Sequence, residues 1–343
     1  MKKNNLFILS FLIVLTTACQ KESSSSGTPV GTGEVFICNE GNFGWGNGDI
    51  SRYKEETGEI ENNFFRNTNS FLPGDVVQSM TEDSQFYYIV VNNSAKILAV
   101  HRSDFTYSHT FSLPGSSPRH MLVLPGHKAY VSDLYANRIW ILDLESRTVT
   151  GFIPVGGWSE EMVCIQNKVY VAVRTKPGGL PVKEIAIIDP GADQTESSII
   201  LPGAPVSLCK QDETTLWILT EQSTNPAQSP HLIAYSRQSQ SVIKDTLISG
   251  VGNTQKIACF QDRLFLLAGS LYLYENSQLK LWIPSDSRNF YSLGVNPSNG
   301  NIYVSDAKDY LQESRVYHYT LAGNEIRQFE AGIISGFFYF PGR

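Results

Sequence analysis

The 343-residue chain is poor in charge: Asp, Glu, Lys and Arg make up 17% of it, and the net charge is −6. No run of Lys or Arg offsets that balance, which argues against nonspecific binding to nucleic acid. Past residue 18 no stretch is long and apolar enough to cross a membrane as a helix, which takes about 20 residues. Apolar periodicity of the helical kind never lasts beyond two turns, so helices are expected to be rare. The chain has five cysteines, none of them two or three residues apart, so a zinc clip of the usual local spacing is absent. No nucleophile-elbow, phosphate-loop or Asp-x-Asp-x-Asp pattern occurs, and there are only six histidines. Aromatic residues, by contrast, reach 11%, and Gly, Asn and Ser punctuate the chain throughout. That is the profile of an all-β protein with many turns.

The N-terminus reads as an export signal. Lys2 and Lys3 precede an apolar run from Leu6 to Leu15, and the small residues Thr16, Thr17 and Ala18 lead to Cys19. The run is too short for a permanent span, so residues 1–18 are expected to be removed. Ala18-Cys19 resembles the bacterial lipobox, although Thr16 stands where leucine is usual. The resemblance implies a lipid on Cys19 and a membrane association through that lipid alone. Gln20-Lys21-Glu22 resembles the short export signal of Bacteroidota surface lipoproteins, which implies an outer-membrane protein exposed on the cell surface. Ser23–Ser26 and the Gly-rich stretch after it complete a flexible tether over 19–33.

Residues 34–343 repeat. Tyr130-Val131-Ser132-Asp133 is followed by Arg138–Asp143, by Thr148–Val155 and by a Gly-Gly turn. The same order recurs from Tyr170 and from Tyr303, with weaker copies from Phe36, Tyr88, Trp217 and Phe265. These seven aromatics stand 38 to 52 residues apart, the spacing of a propeller blade at roughly 40–50. Each repeat holds about four short strands separated by turns such as Pro125-Gly126. The expected fold is an all-β, seven-bladed β-propeller of four-stranded antiparallel blades. The first repeat lacks an innermost strand, whereas Ile333–Phe340 follows the seventh repeat without a partner. That C-terminal run is therefore expected to complete the first blade and close the ring. Cys164, Cys209 and Cys259 fall at matching places in the innermost strands of blades 4, 5 and 6. With blades splaying apart, they are expected to be packing residues rather than disulfide partners, as is Cys38.

The third repeat resembles the YVTN repeat of YncE-like propellers, on Tyr130, Val131, Ile139, Ile141, Asp143, Ile153, Val155 and Gly156. The motif specifies a fold and says little of function.

In a propeller, the loops between strands D and A and between B and C gather at one mouth of the central channel. Those loops supply the candidate ligand-binding residues: Asn39, Glu40, Asn42 and Trp45 from blade 1; Asp75, Asn92 and Asn93; Arg119 and His120; Asp133 and Tyr135; Trp158 and Glu160; Arg174; Gln222; Lys256; Tyr291; and Asp306. Amides, aromatics and scattered charge suit a polar ligand with flat or sugar-like parts. Asn and Asp in such loops equally serve as turn-formers. Catalysis is not expected, nor is a resident metal or cofactor, although some propellers are lactonases or lyases. His120 alone sits where a base would face the mouth.

Asn39-Glu40-Gly41-Asn42, Gly74-Asp75-Val76-Val77 and Tyr88–Asn93 together resemble the BtuG-type surface lipoproteins of the Bacteroidota. That resemblance implies capture of a corrinoid (cobalamin) at the mouth, with Trp45 and Trp158 walling the ligand and Arg119, His120 and Arg174 meeting its polar groups. It also implies a TonB-dependent outer-membrane transporter as partner. A carbohydrate-binding module and a protein-interaction propeller are the alternatives.

Overall fold

A computed structural model of the chain describes residues 33–342 other than 177, 225 and 226. The signal segment, Cys19 and the tether through residue 32 lie outside the described residues. Seven four-stranded antiparallel sheets form the ring, each ordered A–B–C–D outward from the axis. The innermost A strands of blades 2 to 7 are Val77–Glu82, Pro118–Leu124, Trp158–Ile165, Pro205–Lys210, Lys256–Phe260 and Phe290–Val295. The one α-helix among the described residues, Phe64–Asn69, follows the two-residue D strand of blade 1.

The seven aromatic markers all lie in B strands, such as Phe86–Val91 and Lys128–Asp133. Both faces of a B strand are covered by neighbouring blades, which is why these strands read as continuous apolar runs rather than alternating ones. The outermost strands, such as Gln194–Ile200, are largely exposed. The core is accordingly divided into seven apolar clusters, one at each seam between adjacent blades.

The ring closes as the sequence predicts. Ser335–Tyr339 pairs antiparallel with Glu34–Asn39 and becomes strand A of blade 1. Asn39 secures the join: its side-chain oxygen accepts from Ser335 Oγ at 2.7 Å and Gly332 N at 3.1 Å, while its amide nitrogen donates to Ser51 Oγ. At the other end of the same seam, Glu55 of blade 1 accepts from Asn296 and Asn299 at 2.9 and 3.2 Å and from the Tyr303 hydroxyl, all of blade 7. The ring of Tyr303 stacks on that of buried His318.

The cysteine expectation is corrected. Cys209 and Cys259 form a disulfide, with Cα atoms 6.1 Å apart. Blades splay at the rim but converge at the axis, so neighbouring A strands come within bridging range. Register explains why these two pair and Cys164 does not. Cys209 lies opposite Trp217, the marker itself, whereas Cys164 and Cys259 lie opposite Val169 and Leu264, each one residue before its marker. Successive strand residues face opposite sides. Cys209 therefore faces blade 6 and Cys259 faces back to meet it, while Cys164 packs with Leu122 and Ile141 of blade 3. Cys38 is buried and free.

Candidate functional site

Six of the seven A strands carry a one-residue bulge near the start, at the mouth end. The residues left without a ladder partner are Gln78, Arg119 and His120, Glu160 and Glu161, Val206, Tyr291 and Gly336. A bulge re-aims side chains that would otherwise enter a seam, and here it lets Gln78, Arg119, Glu160, Glu161 and Tyr291 meet residues of other blades, while Val206 still packs at the seam of blades 5 and 6. The A strand of blade 6 has no bulge and contributes Lys256 from its first position.

The re-aimed side chains meet across blades. Arg119 donates from Nε to Glu160 Oε2 at 2.7 Å and from Nη1 to Gln78 Oε1. Arg174, near the end of strand B in blade 4, reaches Glu160 at 3.7 Å and Glu221 of blade 5 at 3.3 Å. Lys256 pairs with Glu161, which also accepts from Ser207 Oγ and Leu208 N. Tyr291 donates its hydroxyl to Glu40 at 3.1 Å. Burial holds Glu40 above the usual carboxylate range, partly offset by Arg119 and by the Tyr291 hydrogen bond. Burial, with Lys256 and Arg119 adding to it, pushes His120 down to about 3.

Arg119 and Arg174, expected to meet a ligand, are thus engaged within the ring and form a charged floor. Removing one member of such a network leaves a desolvated charge behind, a loss of about 3–5 kcal/mol.

The structure places several other candidates in the scaffold. Asn39 locks the closing strand. Asn92 is buried and donates to Pro118 O at 2.9 Å. Asp133 and Asp306 do one job in two blades, each accepting from the backbone N–H ahead of its own A strand and from the N–H two residues on. Turned into these turns, they do not join Glu40 and Glu160. Asp75 accepts from Gly44 N and Asn93 Nδ2, and Asn42 donates to Tyr310 O, so these three candidates tie mouth loops together. Gly41 in the same blade 1 loop adopts φ +72°, and a Cβ there would meet Asn47 Oδ1 at 2.5 Å. Gln222 is exposed.

Above the floor the loops expose rings. Trp45 is 77% exposed and Tyr135 66%, and Phe43, Tyr310 and Leu311 are also exposed on loops joining B to C, as is Leu180 at the start of strand C in blade 4. Tyr135 meets Trp158 edge-on at 5.2 Å, and Tyr310 meets Tyr291 in the same way at 5.8 Å. Blades 3 and 4 lie across the ring from blade 7, so the two pairs face each other over the mouth. Between them, blade 6 joins B to C through Gly269 alone, leaving a gap in the crown. Glu221, Glu161 and Leu311 complete the floor and crown. Glu221 escaped the sequence reading because its neighbour Gln222 lies in the same loop, and only the ion pair with Arg174 shows which of the two turns inward.

No sequence-family model matches the chain, and no curated protein does. Among solved structures, a quinonprotein alcohol dehydrogenase-like protein of Bacteroides thetaiotaomicron is 12% identical with a TM-score of 0.69, covering 91% of this chain and 79% of that one. The Pan2 WD40 domain of Neurospora crassa is 11% identical with a TM-score of 0.60, covering 80% of this chain and 82% of that one. Hydrazine synthase of Kuenenia stuttgartiensis is 16% identical with a TM-score of 0.59, covering 73% and 80%. What this chain shares with all three is the propeller fold.

Proposed function

We propose that the protein is a non-enzymatic binding propeller that captures a ligand at the crowned mouth of its channel. The observation that carries this is the pairing of a charged floor, whose cations are all engaged by carboxylates, with exposed rings on the loops above it. A large side chain left in water on a mouth loop gains most when a ligand covers it, and a rigid ring loses little freedom on binding. Catalysis fits the site less well. His120 is held neutral down to about 3, and no hydrogen bond to its ring orients it among the described residues. A general base works best with a pKa near the working pH.

Within this reading, a corrinoid passed to a TonB-dependent outer-membrane transporter is the form that the sequence resemblance supports. A lipid on Cys19 would hold the ring at the cell surface, and the Cys209–Cys259 disulfide suits an exported protein. Calorimetry of the protein with cyanocobalamin tests the ligand: heat that saturates at one equivalent and weakens about tenfold or more in Trp45→Ala is expected, and no heat removes the corrinoid. Exposed Phe43, Leu180 and Leu311 favour a second reading, docking of a protein on the same loops. It would leave binding of small molecules undetectable.

A further inference from the structure

The charged side chains brought to the channel by the A-strand bulges, by Lys256 and by the ends of the B strands do not balance. The cations are Arg119, Arg174 and Lys256, and each is engaged: Arg119 with Glu160, Arg174 with Glu160 and Glu221, Lys256 with Glu161. Glu40 is the fourth carboxylate. Among the described residues no Lys, Arg or His lies within ion-pairing distance of it, and the one side chain that hydrogen-bonds it is Tyr291.

Glu40 also differs from the acids that build turns. Asp133 and Asp306 are filled by backbone N–H groups, whereas the Glu40 carboxylate takes none. It lies over Gly336, where a Cβ would stand 2.2 Å from Oε1. The bulge glycine of blade 1 thus leaves its place in the channel wall to the Glu40 carboxylate. The aromatic side of this niche is held firmly. Tyr310 adopts φ +65°, a left-handed conformation that a non-glycine residue keeps only when its surroundings enforce it. Its N–H donates to Ala307 O at 2.8 Å and its carbonyl accepts from Asn42, which sets its ring edge-on to Tyr291.

We propose that Glu40 is the acceptor for a cationic nitrogen of the captured ligand, an organic ammonium group seated between the carboxylate and the rings of Tyr291 and Tyr310. A carboxylate beside aromatic faces is the chemistry that recognises such a cation, and one added positive charge brings the floor to neutrality. Burial holds the Glu40 carboxyl above its usual range, with Arg119 and the Tyr291 hydrogen bond offsetting it only in part, and a cation seated beside it would favour the charged form. The inference rests on capture at the mouth and not on the corrinoid, whose side chains are amides and carry no ammonium.

The probes are phenethylammonium and its neutral counterpart phenethyl alcohol, titrated into the whole protein by NMR. The ammonium is expected to bind about tenfold more tightly than the alcohol, and Glu40→Gln is expected to abolish that preference. Equal binding of the two, no binding of the ammonium, or a preference that survives in Glu40→Gln overturns the proposal. Should Glu40→Gln not fold, Glu40→Asp serves: drawing the carboxylate back by one methylene weakens the ammonium about fivefold and leaves the alcohol unmoved, whereas equal loss of both overturns it. Ammonium preference without cyanocobalamin binding removes only the corrinoid. Cyanocobalamin binding without any ammonium effect removes only the role of Glu40.

Discussion

Two seams of the ring are held by opposite means. At the join in blade 1, where the two ends of the chain meet beside blade 7, a strand pairing, the Asn39 lock and the Glu55 latch do the work, with no disulfide across it. Between blades 5 and 6, which are continuous in sequence, a disulfide joins the inner strands. The first seam must choose a register between distant segments, and convergent hydrogen bonds supply that choice. The second needs no such selection, and its crosslink acts mainly on the unfolded chain. The two seams should therefore fail under different conditions.

Removing residues 336–343 takes most of strand A from blade 1 and leaves the Glu34–Asn39 edge and its seam bare. The expected result is loss of the cooperative unfolding transition in calorimetry. Reducing Cys209–Cys259 releases a loop of about 50 residues, which the chain-entropy relation values at about 4 kcal/mol. Denaturant melts with and without reductant check this, and the 7–1 seam variants should respond to reductant equally.

Glu55→Ala strands the Tyr303 hydroxyl and the Asn296 and Asn299 amides, at about 3 kcal/mol, read from the same melts. Acid separates the seams further. His318 is pushed down to about 4 by burial, and it belongs to the 7–1 seam. Its unfolded form takes up a proton near pH 6.5 while the folded form does not, so its contribution is full above that pH. It is lost as pH falls from about 6.5 to about 4, on the order of 3 kcal/mol. Melts across that window should show a slope that flattens in His318→Gln. His120, pushed lower still, adds the same sign at the channel. Trp45→Ala should change stability by less than about 0.5 kcal/mol, because its ring lies in water, while weakening ligand capture.

Much of this fold is legible in the sequence, and the reason is physical. A B strand covered on both faces needs an aromatic and a β-branched run, so Tyr130-Val131 and Tyr303-Val304 announce themselves. The unpartnered Ile333–Phe340 run likewise announces the closing strand. The site is less legible, since a bulge is an event between two strands. Nothing in Arg119 or Tyr291 alone says that the ladder skips it. The cysteines fail for the same reason: a one-residue offset decides whether Cys209 faces Cys259 or turns away, and spacing of 40 to 50 residues does not resolve it. Asp133 and Asn39 are polar at the mouth in sequence, yet their side chains serve their own turns and seam.

The closing strand has a mechanical consequence. Strand Glu34–Asn39 starts on the underside, beside Lys54, and the C-terminal strand ends there too, with Gly342 N donating to Glu82. A pull on the chain before residue 33 therefore enters along the axis of a strand flanked on both sides. Its pairs with Asp49–Lys54 and with Ser335–Tyr339 are loaded together in shear, not unzipped one at a time. A ring dragged by its leading end would resist through the junction that completes it, with the crown facing away from the direction of the pull.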